Sequence, residues 1–292
     1  MFEGSMVALV TPFKKGKLDE KAFVNLVKWQ IAEGTDAIIP CGTTGESATL
    51  DYEEHYRVIE LAVKAAKGRV PVIAGTGANS TAEAIEITKK AMRLKADGAL
   101  LVSPYYNKPT QAGIYLHYKA VADSVKGFPI ILYNVPGRTS SNILPETVAR
   151  LAEIKNIIGV KEATGDMKQA SELIRLCGKS GFTILSGDDF TNFPLYALGG
   201  NGCISVSANV APGLQSRMWR AWKAGDVQEA RRLHYQLEPI NKAMFIETNP
   251  IPVKTALAMM GKIREEFRLP LCAMSDENRK KLAKVMASNK LI

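Results

Sequence analysis

The stretch FPIILYNVP at residues 128–136 is followed by NIIGVKEA at residues 156–163, with an amphipathic segment at 145–153 between them. Short apolar runs rich in Val and Ile that alternate with longer stretches of helical period are typical of βα units around a parallel sheet. These two runs therefore predict neighbouring parallel strands joined by a helix.

The same pattern extends in both directions along the chain. Six further apolar runs are MVALVTP (6–12), DAIIPCG (36–42), VPVIAGTG (70–77), GALLVSP (98–104), FTILSGD (182–188) and NGCISVSA (201–208). Further amphipathic segments between the runs are 20–33, 52–67, 81–95, 112–125 and 167–177. Eight βα units in about 220 residues predict an α/β fold, the (β/α)8 TIM barrel.

After the eighth run the pattern becomes entirely helical. The predicted helices there are 212–224, 226–245, 250–261 and 275–288. We interpret residues 1–224 as a catalytic barrel and residues 225–292 as a C-terminal helical extension. In barrel enzymes the chemistry lies where the strands end, at the C-terminal face, so candidate residues are sought there.

Composition excludes several classes of protein. The chain is 46% hydrophobic and 23% charged, with no apolar run near the roughly 20 residues of a membrane-spanning helix and no recognisable signal peptide. We therefore expect a cytoplasmic protein without a membrane partner. The net charge is +9, but the basic residues are spread along the chain rather than clustered, so nucleic acid is not an expected partner. A mildly favourable field for small anionic substrates is expected instead.

Cofactor and metal sites have no support in the sequence. The four cysteines lie far apart without a Cys-x-x-Cys pair, and the three histidines are isolated. The stretch Gly75-Thr76-Gly77-Ala78-Asn79-Ser80 lacks the third glycine and the following acidic residue of a dinucleotide-binding turn. We expect neither a metal nor an organic cofactor.

Lys161 differs from the other lysines, almost all of which have polar neighbours in helical or loop segments. It ends the apolar run Ile157-Ile158-Gly159-Val160. An ammonium ion there would lose hydration, which favours the neutral amine that attacks a carbonyl to form an imine. The alternative is a structural lysine paired with Glu162 or another carboxylate at a strand end.

Tyr133 belongs to the preceding run, and adjacent strands lie about 4.8 Å apart. A phenol beside the amine could move protons onto and off the intermediate oxygen, although a strand tyrosine taken alone is more often a packing residue. The turn Cys41-Gly42-Thr43-Thr44-Gly45-Glu46-Ser47 offers hydroxyls and backbone N–H groups that suit a carboxylate. In isolation this turn is a weak signal.

Seven stretches resemble those of the dihydrodipicolinate synthase family, in the same order across nearly the whole chain. They are GTTGESATL (42–50), AGTGAN (74–79), PYYNKPTQ (104–111), YNVPGRT (133–139), GVKEATGD (159–166), GDD (187–189) and NPIPVK (249–254). The Gly-x-x-Gly-Glu turn, the tyrosine and the lysine also resemble the wider class-I pyruvate aldolases. A sialic-acid or 2-keto-3-deoxy sugar-acid aldolase is therefore the alternative function.

The resemblance implies roles for individual residues. It makes Lys161 the Schiff-base lysine and Tyr133 the general acid and base, with Thr43 and Tyr106 completing a proton relay. The residues that it implies for substrate binding are Thr44, Ile204 through its backbone, Gly187 and Arg138. Arg138 would bind the carboxylate of aspartate semialdehyde through two parallel hydrogen bonds, and in the family this loop favours the synthase over the sugar-acid aldolases.

The implied reaction is the condensation of pyruvate with L-aspartate 4-semialdehyde to 4-hydroxy-tetrahydrodipicolinate, the committed step of lysine biosynthesis. In the family the tyrosine at the Tyr106 position reaches the active site of a neighbouring subunit, which implies a homo-oligomer, usually a tetramer built as a dimer of dimers. A second set of residues resembles the site at which L-lysine inhibits some members: Ala48, His55, Asn79, Glu83 and Tyr105. The alternative is that His55 and Glu83 are surface-helix residues, and Tyr52 stands where some inhibited members have histidine.

Overall fold

The computed structural model describes residues 2–178 and 181–292. Its strands are β1 (Gly4–Ala8), β2 (Phe13–Lys14), β3 (Lys17–Leu18), β4 (Ala37–Ile39), β5 (Ile73–Gly75), β6 (Gly98–Val102), β7 (Ile130–Asn134), β8 (Ile157–Glu162), β9 (Thr183–Ser186) and β10 (Gly202–Ser205). Its helices are α1 (Glu20–Ala32), α2 (Tyr52–Ala66), α3 (Thr81–Arg93), α4 (Gln111–Ser124), α5 (Pro136–Thr139), α6 (Pro145–Leu151), α7 (Met167–Cys177), α8 (Asn192–Leu198), α9 (Pro212–Lys223), α10 (Val227–Ala243), α11 (Ile251–Met259) and α12 (Asp276–Ser288).

Eight of the strands form one sheet in the order β4-β1-β10-β9-β8-β7-β6-β5, and the fold is the predicted (β/α)8 barrel followed by C-terminal helices. Seven of the eight apolar runs contain one of these strands, and the run at 6–12 overlaps β1, which begins at Gly4. Strands β1, β7 and β9 are buried along their whole length. Parallel strands covered on both faces read as continuous apolar runs, which is why the sequence located them.

The chain folds as two compact units, each built from two separate segments of sequence. The first comprises Met1–Glu3 and Pro71–Ile204, and the second comprises Gly4–Val70 and Ser205–Ile292. The first unit therefore holds strands β5 to β9 with most of β10, and the second holds β1 to β4 with the C-terminal helices. The boundary that we predict at residue 224 stays a prediction about domain organisation.

Within the second unit, β1 pairs in parallel with β4, and Met6, Val7 and Ala8 lie opposite Ala37, Ile38 and Ile39. Within the first unit, the paired strands β7 and β8 fix the level of the predicted catalytic residues. Their register places Tyr133 opposite Lys161 and, one residue further along, Asn134 opposite Glu162. Because side chains alternate between the two faces of a strand, each of these two pairs shares a face, and the two pairs lie on opposite faces.

All ten predicted helices are confirmed, with ends that differ by a few residues at most. Capping explains several of their starts: the Asp51 side chain accepts a hydrogen bond from the N–H of Glu54 at the start of α2, and Asp166 accepts from Lys168 N–H at the start of α7. The short helices α5 and α8 and the hairpin of β2 with β3 were not predicted. No helix in the described part of the chain combines the length and the apolar character that crossing a membrane requires.

Candidate functional site

Lys161 and Tyr133 meet at the ends of neighbouring strands in the first unit. Only 4% of Lys161 and 7% of Tyr133 is exposed. The Nζ atom of Lys161 lies 4.2 Å from the centroid of the Tyr133 ring. The amine is therefore held in a largely desolvated position against the ring of a tyrosine.

Glu162 is not the counter-ion of Lys161, which removes one of the two kinds of partner in the alternative interpretation of that lysine as a structural residue. Consecutive strand residues point to opposite faces, so the Glu162 side chain leaves β8 on the other side. Its carboxylate accepts hydrogen bonds from Thr164 N–H at 2.7 Å, and from the side-chain amides of Asn134 and Gln169, each at 3.1 Å. Glu162 is therefore part of a different set of contacts.

Gly187 follows β9 and leaves space for the Lys161 side chain. Its N–H donates to the carbonyl of Glu162 at 2.7 Å, which holds it against the end of β8. A Cβ atom added at Gly187 would lie 2.7 Å from Cε of Lys161 and 2.7 Å from Cβ of Ala163. These distances are shorter than real Cβ contacts, so only glycine fits here without moving the lysine.

Three other predicted residues lie in the same unit but differ in exposure. Ile204 is fully buried in β10. Arg138 is exposed in the short helix α5, where its N–H donates to the carbonyl of Val135 at 2.9 Å. Tyr106 is 88% exposed and has a φ of +73°, a left-handed backbone conformation that residues other than glycine rarely adopt.

The predicted carboxylate-binding turn lies in the second unit and is held by hydrogen bonds on both sides. Thr44 is buried, and its hydroxyl oxygen accepts a hydrogen bond from Nδ2 of Asn249 at 3.0 Å. The Thr11 hydroxyl donates to the carbonyl of Gly45 at 2.7 Å. Thr43 directly precedes these two anchored residues and is half-buried. The turn is therefore fixed at its centre, next to a threonine that remains partly accessible.

Lys254 in helix α11 is a second buried lysine that the sequence analysis missed. Its side chain is fully buried and forms an ion pair with Glu46, whose side chain is also fully buried. Nζ of Lys254 also lies 4.3 Å from the ring centroid of Phe13. Burial lowers the pKa of Lys254, and the charge of Glu46 opposes that shift. Lys161 is therefore not the only lysine that departs from the solvated positions expected of this residue type, although Lys254 lies in a helix and Lys161 in a strand.

A signal for Lys254 was present in the sequence, although it is weaker than that of a strand. Every residue from Ile251 to Leu257 is buried, so α11 has no solvent-facing side along this part. A helix that is apolar all round is a buried helix, and a lysine within it needs a counter-ion. The partner could not be identified from spacing, because Glu46 lies 208 residues away in the chain.

Part of the predicted lysine-binding set is close together in the first unit. Nδ2 of Asn79 donates to the carbonyl of Tyr105 at 3.2 Å. Burial raises the pKa of the Tyr105 hydroxyl, and the negative charge of Glu83 raises it further. Glu83 lies in the first turn of α3 and is half-buried. These three residues could therefore present a carboxylate, an amide and a phenol to one ligand.

The other two members of the set, Ala48 and His55, belong to the second unit. Ala48 is exposed in a short 3₁₀ helix at Ser47–Thr49. His55 is 7% exposed in α2, so the alternative that it is a surface-helix residue is wrong. Tyr52 is 47% exposed, and its ring stacks on that of Tyr56 with the centroids 6.1 Å apart.

The model of the dihydrodipicolinate synthetase family matches residues 1–289. The chain belongs to this family. Among curated members of the dihydrodipicolinate synthetase family, a protein of Thermodesulfovibrio yellowstonii named 4-hydroxy-tetrahydrodipicolinate synthase is 70% identical over the full length of both chains. Such names support the synthase rather than a sugar-acid aldolase.

Solved structures of dihydrodipicolinate synthases show the same fold. The Aquifex aeolicus enzyme is 52% identical, with a TM-score of 0.97 over 99% of both chains. A chloride-inhibited enzyme from Acinetobacter baumannii, solved in complex with pyruvate, is 48% identical with a TM-score of 0.97 over 100% of both chains. The enzyme from Cyanidioschyzon merolae, solved with lysine bound, is 41% identical with a TM-score of 0.97 over 100% of this chain and 99% of the other.

Proposed function

We propose that this protein condenses pyruvate with L-aspartate 4-semialdehyde to give 4-hydroxy-tetrahydrodipicolinate, through an imine between pyruvate and Lys161. The observation that carries the proposal is the buried amine of Lys161 beside the Tyr133 phenol, in a chain 70% identical to a curated 4-hydroxy-tetrahydrodipicolinate synthase. The complex of the Acinetobacter baumannii relative with pyruvate supports the identity of the first substrate.

The first step forms a bond between Nζ of Lys161 and the ketone carbon of pyruvate. The ketone oxygen leaves as water after it has been protonated, and the amine loses its protons, so the product is an imine. Tyr133, whose ring lies against Nζ, would give and take these protons, as the resemblance to the family implies. Thr43 and Tyr106 would relay protons between Tyr133 and solvent, as the resemblance to the family implies.

Loss of a proton from the pyruvate methyl group then converts the imine into an enamine. The enamine carbon attacks the aldehyde carbon of aspartate semialdehyde and forms the new carbon–carbon bond. The amino group derived from aspartate semialdehyde displaces Nζ of Lys161, which closes the ring and regenerates the free lysine. One water is released overall, and the sequence of steps needs no oxidant, reductant or metal.

Substrate binding is divided between carboxylate sites. As the resemblance to the family implies, Thr44 and the backbone at Ile204 would bind pyruvate, and a threonine hydroxyl and backbone N–H groups suit its carboxylate. Arg138 would bind the carboxylate of aspartate semialdehyde, since its exposed guanidinium can donate two parallel hydrogen bonds. Loss of Arg138 should therefore impair use of the aldehyde and leave imine formation with pyruvate intact.

The activity is tested by supplying both substrates and coupling the product to a reductase that oxidises NADPH. We expect turnover that requires both pyruvate and aspartate semialdehyde, and none with 2-keto-3-deoxy sugar acids. Arg138→Ala should raise the KM for aspartate semialdehyde roughly 10- to 100-fold, the value of a lost charged hydrogen-bonded pair. Cleavage of sugar acids without condensation would contradict the proposal.

We propose further that L-lysine inhibits this protein and that it works as a homo-oligomer in the cytoplasm. Lysine binding by the Cyanidioschyzon merolae relative supports the first point, with Glu83 as the partner of the lysine ammonium. The exposed Tyr106 supports the second, because a large aromatic side chain at 88% exposure is suited to a subunit contact. Millimolar L-lysine should reduce the rate of condensation by wild type and not by Glu83→Gln. Sedimentation in the analytical ultracentrifuge should give the mass of an oligomer.

A further inference from the structure

Four polar side chains form a hydrogen-bonded set behind the ends of β7 and β8. They are Asn134, Asn142, Glu162 and Gln169, and we call them the amide–carboxylate network. Asn134 is fully buried, Glu162 is 5% exposed, and the other two are half-buried. Buried polar groups that are all hydrogen-bonded to one another make a local structure more rigid, since each bond is stronger in a medium of low dielectric constant.

Glu162 occupies the centre of the network. One carboxylate oxygen, Oε2, accepts from Nδ2 of Asn134 and from Nε2 of Gln169, each at 3.1 Å. The other oxygen, Oε1, accepts from Thr164 N–H at 2.7 Å. The carboxylate thus connects strand β7, strand β8, the loop that follows β8 and helix α7.

The amides cannot simply reverse their orientation to suit another acceptor. Oδ1 of Asn134 already accepts from Ile143 N–H at 2.9 Å, while its Nδ2 donates to Oδ1 of Asn142 at 2.7 Å. Oε1 of Gln169 accepts from Nδ2 of Asn142 at 2.9 Å. The NH2 groups of Asn134 and Gln169 must therefore point toward residue 162. A side chain there has to accept hydrogen bonds at both of its terminal atoms, as a carboxylate does.

This network lies one residue beyond the pair of Lys161 and Tyr133. Register places Asn134 opposite Glu162 and Tyr133 opposite Lys161 on the same two strands. A bond from Asn134 to Glu162 therefore fixes the relative height of the two strands where the reacting side chains leave them. Displacement of a reacting group by about 1 Å can reduce the rate of a reaction roughly 100-fold. The relative position of β7 and β8 along their length therefore matters for imine formation.

We propose that Glu162 is a positioning residue that holds Lys161 against Tyr133 through the amide–carboxylate network. It does not touch the substrate, because its side chain is on the opposite face of β8. The inference rests on the proposed imine chemistry at Lys161. It predicts that the rate of imine formation depends on the two acceptor oxygens of Glu162.

The test compares Glu162→Gln with wild type at a temperature well below the unfolding transition of both. Glutamine has the same shape but turns an NH2 group toward donors that already have fixed orientations. We expect the single-turnover rate of borohydride-trapped imine, and kcat with it, to fall roughly 10- to 100-fold. The KM for pyruvate should stay within about threefold, because the groups that bind its carboxylate are elsewhere.

A matched control is Glu172→Gln in α7. Glu172 is a half-buried glutamate of the same helix that carries Gln169, it lies outside the amide–carboxylate network, and it pairs with Arg175 at 2.5 Å. This control should retain the wild-type rate of imine formation.

If Glu162→Gln does not fold, Gln169→Met provides the second test, since it removes one of the three donors without altering a strand. It should slow imine formation about two- to fivefold. The proposal would be overturned if folded Glu162→Gln formed the imine at the wild-type rate, or if Gln169→Met did so when it is the only folded variant. A change confined to the KM for pyruvate would also overturn it. Failure of the proposed function is distinguishable, because wild type itself would then form no imine at Lys161.

Discussion

Nζ of Lys161 lies 4.2 Å from the centroid of the Tyr133 ring, and the two residues are opposite each other on adjacent parallel strands. The distance places the amine over the aromatic ring. A nucleophilic amine therefore lies beside a residue that can transfer protons, and only a few per cent of either residue is exposed. Imine formation should therefore depend on this pair and on the contacts that support the fold around it.

Tyr133→Phe should retain the packing of the ring and lose the hydroxyl. We expect kcat to fall roughly 10²- to 10⁴-fold, because a positioned general acid and base contributes about that much. The fold should be unchanged, since Tyr133 is paired in β7 through its backbone. Steady-state kinetics with circular dichroism would check this, and a kcat within fivefold of wild type would show that another group moves the protons.

Gly187→Ala should slow imine formation through displacement of Lys161. The added methyl group would lie 2.7 Å from Cε of Lys161 and 2.7 Å from Cβ of Ala163, so the flexible lysine side chain must move. We expect a fall of roughly 10- to 100-fold in the rate of trapped imine.

A double variant separates the two contacts of residue 187. Gly187→Ala combined with Ala163→Gly removes the contact with the Ala163 methyl group and leaves the contact with Lys161. The rate should therefore stay low in the double variant. Full recovery would mean that crowding against Ala163, and not displacement of Lys161, caused the loss.

Lys254→Met should destabilise the protein strongly. It leaves Glu46 fully buried without its counter-ion, and breaking a buried pair in this way costs about 3–5 kcal/mol. The double variant Glu46→Gln with Lys254→Met should recover part of that free energy of unfolding, because no unpaired charge remains. Urea denaturation measures both, and a single-variant cost under about 1 kcal/mol would contradict the importance of the pair.

The stability of the protein should fall below neutral pH partly because of His117. This residue is 5% exposed, its Nδ1 bonds the Thr81 hydroxyl at 2.9 Å, and burial lowers its pKa from 6.5 to about 4. Between these two values the unfolded chain binds a proton that the folded chain does not, so stability decreases as pH falls from about 6.5 to about 4.

The size of the His117 contribution can be isolated with His117→Gln. Between pH 7.5 and pH 4.5 wild type should lose about 2–3 kcal/mol more of its free energy of unfolding than the variant does. Urea unfolding at the two pH values provides the comparison. Equal losses in the two proteins would show that His117 is protonated equally in the folded and unfolded states.

The sequence was sufficient to predict the barrel and to identify residues that interrupt the apolar pattern of a buried strand. Lys161 was identifiable because a charged residue interrupts the apolar period of β8. Helix α5 was missed because its four residues are too few to establish a helical period. The hairpin of β2 with β3 was missed because strands of two residues cannot show alternation.

The supporting contacts were beyond reach of the sequence because they join distant segments. The ion pair of Lys254 with Glu46 and the bond of Asn249 to Thr44 each span more than 200 residues. The apolar residues around Lys254 were only a weak signal of its burial, because a lysine in a helix is usually solvated. The steric role of Gly187 was likewise invisible, since it depends on where the Lys161 side chain lies.

The most direct test of the account is borohydride reduction in the presence of pyruvate, followed by mapping of the modified peptide. Within residues 2–178 and 181–292 two lysines are buried, Lys161 and Lys254, and Lys254 forms an ion pair with Glu46. We predict that wild type is labelled at Lys161 and not at Lys254, and that Lys161→Arg is not labelled. Labelling at Lys254, or persistent labelling of Lys161→Arg at any position, would contradict the central claim that Lys161 forms the imine.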